Sequence, residues 1–287
     1  MRKVILDQGS EEWLKWRKER LTATDAAMLL GLSPYATPHK CWQRKVGQAE
    51  EQKSSPAMLR GVQDEPIARA LFIEEYGINM TPCCIESELH PFIGASLDGI
   101  SDCGQFILEI KSQRPTSQIP EFHMIQMQKQ LLCTDNTAKK CFYVSHWEGK
   151  NITTEVFPDP QWMEEYIPKA KEFWKRVLFF DSPPLICKDY QDMGTHPLWQ
   201  SYAREYRNLS AQIKQLEEIK DSYKKELIKL CGQQSSSGDG IKVLKKIVKG
   251  RVDYEKMVEE LNIADEKING YRKQSSETWT IMIDKKN

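Results

Sequence analysis

Two short runs of alternating apolar residues carry charged side chains where a pair of half-buried strands normally has none. They lie in the stretch SLDGISDCGQFILEIKS, residues 96–112. Because side chains alternate between the faces of a strand, Glu109 and Lys111 share one face of the second run. The segment 102–105 predicts a turn, since Gly104 tolerates a positive φ.

This turn predicts the pairing of the two strands. With Cys103 and Gly104 at its centre, residue 100 pairs with residue 107, and Asp98 lies directly across from Glu109. Like charges at opposed positions repel, and a divalent cation between them removes the repulsion. A solvated surface hairpin is the alternative, but the flanking sequences FIGASL and FILEI are too apolar for it. We therefore predict a site for a hard cation such as Mg²⁺ or Mn²⁺.

The overall charge gives no sign of a nucleic-acid ligand, because the 287-residue chain has a formal net charge of +0. A DNA-binding surface must therefore be local. One run of cations without an acid occurs near the C-terminus, and it is either a solvated face or a phosphate-contacting patch. Its members are Lys242, Lys245, Lys246, Lys249 and Arg251.

The eight cysteines are scattered and contain no C-x-x-C pair. A zinc or iron–sulfur site is therefore not expected. The chain shows no apolar signal segment and no stretch of 18 apolar residues, so we expect reduced thiols, a cytoplasmic protein and no membrane span.

The order of predicted elements is helix, strands, helix, strands, helix up to residue 180. This order predicts an α/β (α+β) fold with a central mixed sheet flanked by helices. A break at 181–185 ends this domain, predicted over residues 1–185. A long amphipathic helix is predicted within 186–232, followed by a flexible linker and a small basic β-α-β appendage over 233–287.

Five sequence fragments in this order resemble the YqaJ family of viral recombination nucleases, which includes phage lambda exonuclease and belongs to the PD-(D/E)XK superfamily. They are WLKWRKERLTATDAAMLLGLSPY, RGVQDEPIARALF, GASLDGI, LEIKS and IQMQKQL. The resemblance covers residues 10–180 and implies a restriction-endonuclease-like core. The proline that often precedes the first metal-binding acid in this family is Leu97 in this chain.

The resemblance implies roles for the charged hairpin. Asp98 and Glu109 match the metal-binding acids, and the backbone carbonyl of Ile110 would add a ligand. Lys111 matches the lysine that orients or activates the attacking water. Glu65 matches a helix acid that completes the metal site, although by itself it would be taken for a solvated glutamate.

The resemblance also implies residues around the metal. Gln126 matches a glutamine near the active site, with an ordinary polar helix residue as the alternative. Arg17 and Thr24 match positions that hold a 5′-phosphate, although Arg17 could also form a surface ion pair. Arg60 is assigned with them to DNA binding. His123 has no assigned role and is expected to cap a helix or lie in the core.

The resemblance implies a Mg²⁺-dependent exonuclease, with Mn²⁺ as a substitute, that degrades duplex DNA 5′→3′ from 5′-phosphorylated ends. The family also implies a ring trimer and a single-strand annealing partner. The alternatives are an endonuclease or end-trimming nuclease on the same core, and a non-catalytic DNA-end scaffold.

Overall fold

The computed structural model describes residues 1–49, 55–114, 118–248, 250–261, 263, 265–271, 273 and 281. The chain divides into two compact units, Met1–Tyr190 and Gln191–Asn287. The segments predicted from the sequence, 1–185, 186–232 and 233–287, remain predictions of domain organisation.

The first unit contains a six-stranded mixed sheet in the order β1-β2-β3-β4-β5-β6. Its strands are β1 (Arg2–Val4), β2 (Met80–Glu86), β3 (Gly94–Ser101), β4 (Phe106–Ser112), β5 (Lys140–Trp147) and β6 (Lys150–Val156). Only the β4–β5 pair is parallel, and the other neighbours are antiparallel. A parallel pair needs a long crossover, which the helix between β4 and β5 supplies.

Helices flank this sheet, which confirms the predicted fold class. They are α1 (Glu11–Lys18), α2 (Ala23–Leu29), α3 (Pro38–Lys45), α4 (Pro56–Tyr76), α5 (Glu121–Cys133) and α6 (Pro160–Phe179). Their ends follow local sequence signals. The side chain of Ser10 caps α1 by accepting from the backbone N–H of Trp13, and α4 ends at Gly77, which has a φ of +65°.

The hairpin of β3 and β4 has the predicted register. Ile100 pairs with Ile107, and Gly99 pairs with Leu108. The turn differs in detail from the prediction, because the N–H of Gly104 donates to the carbonyl of Ser101 at 2.9 Å. That bond makes residues 102 and 103 the central pair, one residue earlier than expected, without changing which residues face each other.

Both faces of the sheet are covered by apolar packing. The larger cluster of buried residues includes Ile107 and Tyr143 from the sheet and Leu131 from α5. A smaller cluster joins Phe72 of α4 to Leu108 of β4. Because neighbouring residues of β4 belong to different clusters, Glu109 points toward the α5 side and Leu108 toward the α4 side.

The second unit begins with a long helix, as the sequence predicts. Its elements are α7 (Pro197–Cys231), β7 (Ser236–Gly238), β8 (Ile241–Val243), α8 (Tyr254–Glu260) and α9 (Asp265–Gly270). β7 pairs with β8 where a flexible linker was predicted, so that part of the prediction is wrong. The last predicted strand, 277–284, lies outside the described residues except for Ile281. In the described part of the chain, no helix is both long enough and apolar enough to span a bilayer.

Candidate active site

The charged residues of the hairpin come together at the centre of the sheet. Glu109 is buried, with 1% of its surface exposed. The ammonium group of Lys111 contacts Glu109 Oε1. Asp98 Oδ2 accepts a hydrogen bond from the backbone N–H of Ile110 at 2.7 Å. One acid from each strand and a lysine therefore form a single polar cluster.

Two glutamines of α5 hold the carboxylate of Glu109. Gln126 Nε2 donates to Oε1 at 2.6 Å, and Gln130 Nε2 donates to Oε2 at 2.5 Å. Residues four positions apart share one face of a helix, so both amides reach the same side chain. Gln126 therefore lies where the resemblance puts it, beside Glu109. Sequence reasoning missed Gln130, and its spacing from Gln126 is the signal that could have found it.

The local electrostatics differ for the acid and the lysine. Burial and the negative charge of Glu109 raise the pKa of Asp98 well above its usual range. Burial lowers the pKa of Lys111, but the charges of Glu109 and Asp98 outweigh it and raise that pKa overall. The lysine therefore stays charged, while the ionised form of Asp98 is disfavoured by its surroundings.

Glu65 approaches the cluster through an arginine. Arg69 Nη1 lies 2.8 Å from Glu65 Oε1 and donates to the backbone carbonyl of Asp98 at 2.5 Å. The sequence analysis did not single out Arg69, which fixes both the helix acid and the backbone of β3. Asp64, the neighbour of Glu65, instead accepts a hydrogen bond from the Ser112 hydroxyl.

The donor set suits a hard divalent ion. Asp98, Glu109 and the carbonyl of Ile110 offer oxygen ligands, and Mg²⁺ is commonly bound by one or two carboxylates together with waters and substrate phosphates. Across the described residues, no three His, Cys, Asp or Glu side chains are grouped closely enough to hold a metal. Glu65 therefore does not complete a three-acid group, and its role as a ligand stays a prediction.

Arg17 of α1 and Thr24 of α2 contact each other. Arg17 Nη2 donates to Thr24 Oγ1 at 3.0 Å, and its guanidinium stacks 4.5 Å from the centre of the Trp13 ring. Trp13 Nε1 donates to Ser96 Oγ at 2.9 Å. Burial lowers the pKa of Arg17, and such a weakly hydrated cation favours an anionic partner.

Buried hydrogen bonds and ion pairs hold the segment that connects Arg17 of α1 to Thr24 of α2. Thr22 and Asp25 form a capping box at the start of α2, so Thr22 is the N-cap residue of this helix. Lys45 Nζ donates to the carbonyls of Arg17 and Arg20, each at 2.7 Å, and lies 2.5 Å from Asp25 Oδ2. The backbone around Arg17 is therefore held by buried charge.

Arg60 and His123 both lie near Lys111: Arg60 contacts the next residue, Ser112, and His123 is close enough for the charge of Lys111 to act on it. Arg60 Nε donates to Ser112 Oγ at 3.2 Å, and its guanidinium lies 4.6 Å from the ring of Trp147. His123 Nδ1 is 3.0 Å from the hydroxyl of Tyr143. Burial, helped by the charge of Lys111, lowers the pKa of His123 to about 3, so this ring is neutral and does not bind phosphate as a cation.

The basic run of the second unit is exposed wherever it is described. Lys242 lies in β8, and the side chains of Lys246 and Arg251 face solvent. Lys245 contacts the side-chain oxygen of Gln233. Lys249 lies outside the described residues. A solvated face and a phosphate-contacting patch both remain compatible with this arrangement.

Comparisons with known proteins agree with the family resemblance. Residues 12–137 match the model of the YqaJ-like viral recombinase domain. The protein YqaJ of Bacillus subtilis is 23% identical over 219 residues, which cover 72% of this chain and 68% of that protein.

Solved structures share the fold. The alkaline exonuclease LHK-Exo of Laribacter hongkongensis is 24% identical, with a TM-score of 0.51 over 60% of this chain and 94% of that protein. Its complex with dAMP gives a TM-score of 0.52 at the same identity and coverage. The resemblance predicted from the sequence is therefore confirmed, since residues 12–137 match the YqaJ-like viral recombinase domain and the chain is similar to YqaJ itself.

Proposed function

We propose that this chain is a Mg²⁺-dependent deoxyribonuclease that degrades linear duplex DNA 5′→3′ from 5′-phosphorylated ends. The observation that carries the proposal is the joining of Asp98, Glu109 and Lys111 into one cluster whose carboxylate is held by α5. A non-catalytic scaffold has no need to bury a glutamate beside a lysine and two amides.

The chemistry follows from the charges. A divalent ion held by Asp98, Glu109 and the Ile110 carbonyl would neutralise the scissile phosphate and lower the pKa of a bound water. Lys111, kept charged by the two acids, orients that water and places positive charge where negative charge develops on the phosphate. Gln126 keeps Glu109 in place by donating to Oε1.

Recognition of the DNA end is assigned to the pocket beside Ser96. Arg17 presents a planar guanidinium and Thr24 a hydroxyl, and both groups bind phosphate oxygens. Arg60, held between Ser112 and Trp147, contacts the DNA backbone on the other side of Lys111. LHK-Exo, which has the same fold, is an alkaline exonuclease that has been crystallised with dAMP, a mononucleotide. That likeness supports release of mononucleotides by this chain.

The remaining strand would be a 3′ single strand suited to recombination by annealing. We accordingly propose a single-strand annealing protein as partner, a ring-shaped trimer as the assembly of the nuclease unit, and the cytoplasm of a bacterial host cell as the place of action. These assignments are supported only by the resemblance to the recombinase family.

Digestion of end-labelled linear duplex, compared with closed circular DNA, tests the function. With Mg²⁺ we expect 5′-mononucleotides from the linear substrate and none from the circle, and no products when EDTA is present. Cleavage of the circle would identify an endonuclease instead. Glu109→Gln and Lys111→Ala should each lower the rate by at least about 100-fold while DNA binding is retained. Full activity of Glu109→Gln would contradict the proposed mechanism.

A further inference from the structure

The helix α7 is 35 residues long and has no buried side chain. Apart from Lys220, apolar residues recur along it at alternating spacings of three and four, which is the a and d pattern of a seven-residue repeat. The a positions are Trp199, Tyr206, Ile213, Lys220 and Leu227. The d positions are Tyr202, Leu209, Leu216, Tyr223 and Leu230.

Beside the seam, the e and g positions carry polar residues together with Leu198, Ala203, Ile219 and Cys231, and the positions farther from the seam are mostly polar. Of the b, c and f positions, only Ala211 and Ile228 are apolar. The apolar seam itself faces solvent, with Leu216 65% and Tyr223 68% exposed. A helix that packs on a globular surface follows a 3.6-residue period with a wide stripe, whereas a 3.5-residue repeat kept over four heptads indicates a left-handed coiled coil.

We propose that α7 forms a parallel, two-stranded coiled coil with α7 of a second copy of this chain. The partner must be a helix of matching length, because α7 extends about 52 Å. In the described part of the second unit, α8 and α9 have seven and six residues, which is about 10 Å each. Neither can cover the seam.

The area of the seam is large enough for a stable dimer. Aromatic side chains bury about 150–250 Å² each when packed. The four aromatic residues of the seam, Trp199, Tyr202, Tyr206 and Tyr223, are 42–70% exposed, so packing them would bury about 350–600 Å² per chain. The aliphatic residues of the seam, such as Leu216 and Leu230, add to this area and bring it toward the value of about 800 Å² per partner that a specific and stable interface buries.

Charged residues of α7 favour a coiled coil of two helices that run in parallel. Lys220 is the single polar residue at an a position, which specifies register, and in a two-stranded coil its long side chain can reach water along the seam. Parallel pairing places Glu205 across from Ser210, and Glu226 across from Cys231. Antiparallel pairing would instead set Glu205 against Glu226 twice, and like charges there repel.

The molar mass of the full chain in solution tests this interface. We expect the wild-type mass to be twice that of Leu216→Asp, whatever multiple the nuclease unit itself forms. Ala211→Asp is the matched control, because it places the same acid at an f position of the same helix, and it should keep the wild-type mass. Equal masses for wild type and Leu216→Asp, or a ratio of three, would overturn the proposal.

A second variant keeps the test decisive if Leu216→Asp fails to fold. Lys220→Leu completes the apolar seam, so it should tighten association by at least about tenfold, measured as the dissociation constant in sedimentation equilibrium. Unchanged or weaker association would count against the seam.

The direction of the strands is tested by oxidation. Leu216→Cys should cross-link to itself in a parallel pair, at a yield well above that of the wild-type chain. Efficient cross-linking only between a chain with Ile213→Cys and a chain with Leu216→Cys would show antiparallel strands and refute the arrangement proposed. None of these measurements depends on nuclease activity, so the coiled-coil proposal can be refuted without refuting the proposed function, and the reverse.

Discussion

Replacing Lys129 by methionine gives a stability change whose dependence on pH can be worked out from the structure. Lys129 is fully buried in α5, and its Nζ donates to the backbone carbonyls of Leu21 and Gly94, each at 2.5 Å. Burial lowers the pKa of Lys129 from 10.5 to about 8. One pKa unit corresponds to about 1.4 kcal/mol, so charging this lysine in the folded state costs roughly 3 kcal/mol.

The direction in which stability changes with pH follows from the number of protons that Lys129 binds in the folded and unfolded chains. Below pH 8 the lysine is charged in both the folded and the unfolded chain, so the folded state carries the full cost. Between pH 8 and pH 10.5 the unfolded chain binds more protons than the folded one, so the stability contributed by Lys129 rises with pH. Above pH 10.5 the lysine is neutral in both states and the cost is gone.

The free energy of unfolding of Lys129→Met has no such contribution. We therefore expect the difference, wild type minus Lys129→Met, to rise by roughly 3 kcal/mol between pH 7.5 and pH 10.5. Urea titrations followed by tryptophan fluorescence measure it at each pH. The exposed Lys139 supplies the control, because Lys139→Met removes a lysine that carries no cost of burial. A flat difference for Lys129→Met would refute the reasoning.

Three further predictions concern the site and the tail. Gln130→Leu should weaken Mn²⁺ binding about 10- to 100-fold in calorimetry, whereas Gln128→Leu should not, since Gln128 Nε2 bonds the Phe157 carbonyl instead. If Gln130→Leu binds Mn²⁺ as tightly as the wild type, Gln130 has no part in supporting the metal site. Arg17→Ala should lower the rate advantage of 5′-phosphorylated over 5′-hydroxyl duplex, and an unchanged ratio of initial rates would place the phosphate elsewhere. Deleting residues 233–287 should preserve cleavage of short duplexes and flatten the salt dependence of DNA affinity by about 0.9 log units per lost phosphate contact, and an equal slope would exclude a DNA role for the basic run.

The register of the hairpin was predictable because two independent signals agree on it. Alternation of apolar residues fixes the faces of β4, and a turn residue that accepts a positive φ fixes the loop length. Gly104 has a φ of +71°, and Ile100 faces Ile107. The pairing of Ile100 with Ile107 needed no information from elsewhere in the chain.

The strand β2 was not predictable in the same way, because Pro82 lies within it. Proline cannot donate to a sheet ladder, so its presence argues against a strand. The structure accommodates it where the pairing register shifts between Thr81 and Cys83, and such irregularities are places where proline is tolerated. The packing of β2 against β3 puts Asp98 in the interior of the sheet, which the local sequence does not reveal.

The hairpin of β7 and β8 carried a signal that the serine-rich composition obscured. Asp239 and Gly240 form its two-residue loop, with φ values of +46° and +77°. Asp-Gly between two short strands is the sequence preferred for such a turn, because both central residues need a positive φ. Composition indicated a linker, whereas the dipeptide indicated a hairpin, and the local geometry followed the dipeptide.

The arrangement of α5 explains why the two halves of the candidate site belong together. Gln126 and Gln130 reach forward to Glu109, while Lys129 holds the carbonyl of Leu21, directly before the cap of α2. One helix therefore contacts both the carboxylate cluster and the turn between α1 and α2, the helices that contain Arg17 and Thr24. The exonuclease proposed above would need a constant distance between the bound end and the reacting phosphate. A helix that contacts both proposed sites would supply that constancy, which neither the hairpin nor the turn could provide alone.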